Sequence, residues 1–145
     1  MWGCRRGFKM AADGISNCYQ ALGQVSQLDA LDERCRTAIV VDSAIGIIGN
    51  GGFRYFFEMN FPNDPDYSLF ADAFRRVGLP DIAERFACLI GLFPFAAPHA
   101  SPELRQRFLS NVPASFDSAM TELENLIWDL DTEALLARFL DSVED

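Results

Sequence analysis

Residues whose types and spacing could do chemistry begin at Asn50-Gly51-Gly52-Phe53, inside the stretch AIGIIGNGGFRYFFEMN over residues 44–60. A glycine-rich bend that opens a helix can turn backbone N–H groups toward a phosphate. The spacing argues against a nucleotide. Counted from Gly49, a G-x-G-x-x-G fingerprint needs glycine where Arg54 stands, and no G-K-[ST] follows to supply the lysine and the magnesium-binding hydroxyl. No acidic residue lies at the right distance after a second strand. The stretch reads instead as a helix that stops at Asn50, with Gly51 or Gly52 supplying the positive φ of a turn.

The other chemistry-bearing side chains are scattered. His99 is the single histidine and sits among prolines and alanines, with no cysteine or carboxylate at ligand spacing; it reads as a surface-loop residue. The serines lack a G-x-S-x-G context, and no cysteine has a signature pairing it with the histidine. Cys4, Cys18, Cys35 and Cys88 show no C-x-x-C spacing, so reduced thiols are expected, with Cys35 and Cys88 buried as small hydrophobes. Asp64/Asp66 and Asp129/Asp131 could hold a hard cation. Neither pair lies in an EF-hand loop, and both read as solvated turn acids. Arg75-Arg76 falls on the polar side of its helix and is expected to pair with nearby acids. Catalytic residues, a metal site and a cofactor site are all expected to be absent, which points away from an enzyme.

The elements that must position these residues are helical throughout. Leu28, Leu31, Cys35, Ala38 and Ile39 lead into Asp42, Ile45 and Ile48. Leu69, Phe70, Ala73, Phe74 and Val77 form a stripe that Gly78 stops as a C-cap. Ile82, Phe86, Leu89, Ile90 and Phe93 form the next, ended by Pro94. Leu104, Phe108 and Leu109 mark a shorter helix after Pro102. Phe116, Ala119, Met120, Leu123, Leu126, Ile127 and Leu130 keep helical spacing without a fault. Asp131 is a fitting N-cap for a last helix carrying Leu135, Leu136, Phe139, Leu140 and Val143. Thr37-Ala38-Ile39-Val40-Val41 has the composition of a buried strand, but no segment sustains strict alternation. The expected fold is all-α, one compact domain of seven or eight helices ending in an acidic helical hairpin. Residues 1–13 are expected to be irregular and residues 14–145 to form the domain. Nothing before Met10 has helical or strand periodicity, which makes Met10 a candidate start beside Met1. The basic opening lacks the apolar run of a secretory signal.

Composition sets the class. The chain has 145 residues, 50% apolar and 12% aromatic, enough for a real core in one domain. The aromatic group Phe53, Tyr55, Phe56, Phe57 and Phe61 reads first as core packing. With 13 phenylalanines, some could instead be exposed at a dimer interface. No apolar run is long enough to span a membrane. The net charge of −9 is concentrated: from Asp117 onward there are nine acids and one base, against 12 acids and 11 bases before it. Such a chain is not expected to bind nucleic acid directly, since phosphate neutralisation needs a basic surface. An acidic face attracts a basic protein instead.

The N-G-G-F turn and the aromatic residues after it resemble a bacterial domain family of unknown function typified by a neisserial DNA-mimic protein. In that family the motif runs roughly E-V-N-N-G-G-F-x-Q-Y-F-x-N. It is followed by a helix ending in A-L-x-x-I-G-A and another ending at F-P. Here Ala73-Phe74-Arg75-Arg76-Val77-Gly78-Leu79 and Leu92-Phe93-Pro94 stand in those places. The resemblance runs from about Leu28 to Leu140 and includes the acidic, leucine-rich C-terminal helices. Ile47, Gly49, Tyr55 and Met59 replace the family's polar positions, while Asn50 to Phe53 are kept. That pattern gives the motif a structural role over a chemical one.

The resemblance implies an all-helical, dimeric protein whose acidic surface imitates duplex DNA and occupies a DNA-binding protein such as a transcriptional regulator. Two helices over the last 29 residues would span roughly 43 Å. Folded back as a hairpin, their acids would fall about 2.3 Å apart along the axis, against about 1.7 Å per charge in duplex DNA. The expected partner-binding residues are Asp117, Glu122, Glu124, Asp129, Asp131 and Glu133, each standing in for a phosphate in a non-enzymatic cytoplasmic binding protein. One rival is a toxin-immunity-type inhibitor that binds through aromatic anchors. Another is a small enzyme with a pocket near Asn50 to Tyr55.

Overall fold

The computed structural model describes residues 2–25 and 27–141, with side chains from residue 14 onward. Residues 2–13, expected to be irregular, fall within the first helix, and the environment of Cys4 lies outside the residues whose side chains are described. Among the described residues seven α-helices follow one another: α1 (Trp2–Val25), α2 (Glu33–Glu58), α3 (Ser68–Arg76), α4 (Pro80–Gly91), α5 (Pro102–Leu109), α6 (Ala114–Trp128) and α7 (Thr132–Asp141). Short 3-10 turns sit at Leu28–Ala30 and Pro98–Ala100. Among the described residues there is no strand, so the all-α expectation holds. Thr37 to Val41 lies inside α2. No helix of the described residues is long and apolar enough to cross a membrane. The chain divides into two compact units, residues 1–43 with 131–145 and residues 44–130.

In the first unit α1 packs against α7. The core is Cys18, Leu31 and Ile39, surrounded by Ile15, Ala21, Leu22, Leu28, Cys35 and Leu140. Ile15, Cys18 and Leu22 recur at three- and four-residue intervals, the spacing that lays one face of α1 on this cluster. Both later helices start on an aspartate whose carboxylate accepts the N–H three residues on. Asp32 takes Cys35 N–H at 2.9 Å, and Asp131 takes Ala134 N–H at 3.1 Å. Tyr19 donates its hydroxyl to Asp42 at 2.6 Å; burial, then this bond, raises the phenol above its ordinary pKa.

The cysteines depart from expectation. Cys18 and Cys35 form a disulfide across 17 residues, and Cys88 is an exposed thiol on α4. Neither is the buried free thiol foreseen, because α1 and the start of α2 bring two cysteines together that sequence spacing keeps apart. The argument from reduced thiols to the cytoplasm therefore falls away. Closing a loop of this length stabilises a fold by about 3 kcal/mol. Cys35→Ser is expected to lose about 2–3 kcal/mol in thermal unfolding. The wild-type chain should lose the same amount when a dithiol reductant is added, and the variant should not respond to it.

The second unit is built on aromatic rings. Phe53, Phe56, Phe57, Tyr67, Phe70, Phe74, Phe86, Phe93 and Phe116 are all buried. Phe56 stands at the centre, with Phe70 at 5.0 Å, Phe57 at 5.5 Å and Phe86 at 5.9 Å between ring centroids. Edge-to-face pairs dominate, as the ring quadrupole favours, and each buried Phe contributes roughly 2–3 kcal/mol from area alone. The core reading of the aromatic group holds for Phe53, Phe56 and Phe57. Phe61 is half-buried and Tyr55 is exposed. α3 and α4 pack as a hairpin, and α4 also packs on α6. Gly78 ends α3 with φ 94°, as its position after the stripe required.

Candidate functional site

The Asn50-to-Phe53 stretch breaks α2 in two. Helical geometry runs from Glu33 to Asn50, is lost at Gly51 and Gly52, and resumes at Phe53. Gly52 adopts φ 74°, ψ −173°, a region closed to residues with a Cβ. A Cβ there would lie 2.6 Å from a carboxylate oxygen of Glu124. That oxygen, Oε2, accepts the Phe53 N–H at 2.7 Å. The bend therefore does what a phosphate loop does, aiming an N–H at an anion at the start of a helical turn. The anion is the protein's own carboxylate, brought from α6. Gly51 has a second reason to lack a side chain, since a Cβ would meet Tyr55 Cβ at 2.6 Å.

The far end of α2 is held by Arg105, which sequence reading passed over. This side chain of α5 is 2% exposed. Its Nε donates to Phe57 O at 2.8 Å. Nη1 donates to Pro98 O at 2.7 Å and His99 O at 3.1 Å, and Nη2 to Met59 O at 3.1 Å and Asn60 Oδ1 at 2.5 Å. Every acceptor is neutral. A cation is placed against carbonyls at the negative end of the α2 dipole, tying it to the 3-10 turn at Pro98–Ala100. His99 joins through its backbone carbonyl, and its ring packs edge-on to Tyr67 at 6.1 Å. Burial pushes the Tyr67 phenol up to about 12, with the Arg105 charge pulling against it.

Beside this clamp lies a groove of about 600 Å³ lined by Arg54, Glu58, Asn60, Gln106 and Ser110 over Phe57 and Leu109. No histidine, cysteine or lysine lines it, and its one hydroxyl, that of Ser110, donates to Arg107 O at 2.7 Å. Among the described residues no three His, Cys, Asp or Glu side chains converge to hold a metal ion. Asp66, just ahead of α3, accepts Ser68 N–H at 2.9 Å, and that bond holds its carboxyl below the usual range. Arg75 pairs with Asp72 at 3.2 Å, on the exposed side of α3.

The six acids expected to bind a partner separate into three groups. Asp117, Glu122 and Asp129 are exposed on and just after α6, in the second unit. Asp131 and Glu133 are exposed at the start of α7, which belongs to the first unit, and Asp131 is occupied as the helix cap. Glu124 is half-buried and bonded to the Phe53 N–H, so its carboxylate is not displayed like the others. Glu122 lies 3.8 Å from Arg85, with both side chains well exposed. Counted by unit, residues 44–130 hold 11 acids and six bases, and the remainder ten acids and six bases. The excess negative charge, concentrated along the chain, is thus shared between the units.

Helices throughout the described residues, an Asn-Gly-Gly-Phe bend whose first helical N–H is taken by the chain's own Glu124, and acids concentrated toward the C-terminus define a small all-α, acid-rich protein. This chain belongs to the DMP19-like protein family, whose family model matches residues 15–143. No curated protein and no solved structure matches it.

Proposed function

We propose that this protein is a non-enzymatic DNA mimic, which occupies a basic DNA-binding protein by offering carboxylates where that protein expects phosphates. The observation that carries the reading is α6. Over Ala114–Trp128 it contains no lysine or arginine, and Asp117, Glu122 and the following Asp129 are all exposed. Membership of a family named for a DNA mimic supports the same reading. Affinity of this kind is mainly long-range Coulomb attraction, strongest where the Debye length exceeds about 10 Å and weakened by salt. Asp131 and Glu133 are further exposed acids, carried by the first unit. Glu124 belongs to the fold and is left out of the binding set.

The test is a triple variant, Asp117→Asn with Glu122→Gln and Asp129→Asn. Since all three are exposed, unfolding free energy is expected to move by less than about 1 kcal/mol. Capture of a basic DNA-binding protein that duplex DNA displaces, and that salt elutes from the wild-type chain, is expected to disappear. Undiminished capture by the variant would end the proposal.

A further inference from the structure

Beyond its acids, α6 exposes an aromatic ring. Trp128 is 59% exposed, more than any other large apolar side chain among the described residues. Phe116, Met120, Leu123 and Ile127 point into the core. At 100° per residue the opposite arc runs from Asp117, through Thr121 and Asn125, to Asp129, with Trp128 almost in line with Asp117 three turns away. One solvent-facing strip about 20 Å long therefore combines an indole with the carboxylates of Asp117 and Asp129. Glu122, about 120° round the helix from Trp128, is paired at 3.8 Å with Arg85.

We infer that this face of α6 is a docking surface for an arginine-bearing cationic protein segment, with Trp128 as its aromatic anchor. The inference rests on the acidic-binding reading and adds to it the chemistry of the contact. The charge selects against an anion, so nucleic acid is excluded from this face. An uncharged apolar segment could cover the indole only by stripping water from the carboxylates without pairing them. A lysine segment satisfies the acids, but its ammonium is a strongly hydrated point charge. Guanidinium does both jobs. It stacks flat on an indole, donates in a planar fork to a carboxylate, and loses less hydration in doing so. Trp and Arg are also among the residue types in which binding energy concentrates at protein interfaces.

Octa-arginine and octa-lysine peptides, equal in charge, are the probes. They are titrated into the full chain at low ionic strength by calorimetry, and by Trp fluorescence in a Trp2→Phe background, where Trp128 is the sole reporter. Both peptides are expected to bind with salt-sensitive affinity, octa-arginine about two- to fivefold more tightly, with a change in Trp128 emission. Trp128→Ala should bring the two affinities together while leaving their salt dependence unchanged, and Trp128→Phe should keep part of the difference. Equal affinities for the wild-type chain, or an arginine preference that survives Trp128→Ala, would overturn this inference and leave the acidic-binding reading standing. Binding of neither peptide would overturn both.

Discussion

Arg105→Met is expected to destabilise the second unit by about 3–5 kcal/mol, more than any exposed charge change in this protein. Methionine matches the stem of arginine, so the loss is one of hydrogen bonds and charge and leaves little cavity. Five donor contacts vanish together. The buried carbonyl of Phe57 loses its guanidinium donor, that of Pro98 keeps only the Ser101 N–H at 3.2 Å, and the part-buried carbonyls of Met59 and His99 lose theirs. Unpaired buried acceptors cost about 1–3 kcal/mol each, and shared relaxation keeps the sum below simple addition. Urea unfolding should show a lower midpoint with an unchanged slope. Amide exchange should rise over residues 57–60 and 98–101 first, because those are the segments the guanidinium ties together. Arg105→Lys keeps the charge but replaces a planar five-donor fork by three donors at one point, so it should recover less than half of the loss. A shift under about 1 kcal/mol for the methionine variant would mean that water takes over the carbonyls, and the clamp would then be no more than decoration.

The parts of this molecule that the sequence made legible are those whose cause is local. The stripes of α3, α4, α5 and α6 are separated by Gly78 and the prolines, and the structure ends or starts helices close to each mark. Asp131 was readable as a cap because the cap sits next to the helix it serves. The helical run Thr37 to Val41 looks strand-like because all five residues are buried, which erases both periodicities and leaves only β-branched composition, a weak guide. Pairing of Cys18 with Cys35 was illegible for another reason: four cysteines allow three pairings, and spacing favours none. Arg105 did leave a trace. It falls in one stripe with Phe108 and Leu109, where an exposed arginine does not belong, and a cation on an apolar stripe is a sign of a buried clamp. Glu124 left none. It is spaced like its acidic neighbours, and its partner is 71 residues away. Carboxylates that fold a protein and carboxylates that bind its partner look alike in sequence, and only geometry separates them.

That separation makes Gly52→Ala the sharpest test of the bend. Two penalties combine in this variant. At φ 74°, ψ −173° a Cβ brings backbone strain of about 1–3 kcal/mol. The new methyl would also sit 2.6 Å from Glu124 Oε2, so the carboxylate must move and the Phe53 N–H loses a charged acceptor, worth about 1.5–3 kcal/mol. A total near 3–5 kcal/mol is expected from chemical denaturation. Asn, which eases an ordinary left-handed turn, should give no relief, because this ψ lies far outside the left-handed helical well. Glu124→Ala separates the two penalties. Alone it should cost about 1–3 kcal/mol by orphaning the Phe53 N–H, while leaving affinity for a basic partner within about twofold. In Gly52→Ala with Glu124→Ala the steric conflict is gone and the hydrogen bond can be lost only once. The double variant should therefore be more stable than the sum of the singles by at least about 1 kcal/mol. Additive losses would mean that the carboxylate and the glycine do not form one device. The bend would then owe its glycines to backbone conformation alone, and Glu124 would return to the set of acids available to a partner.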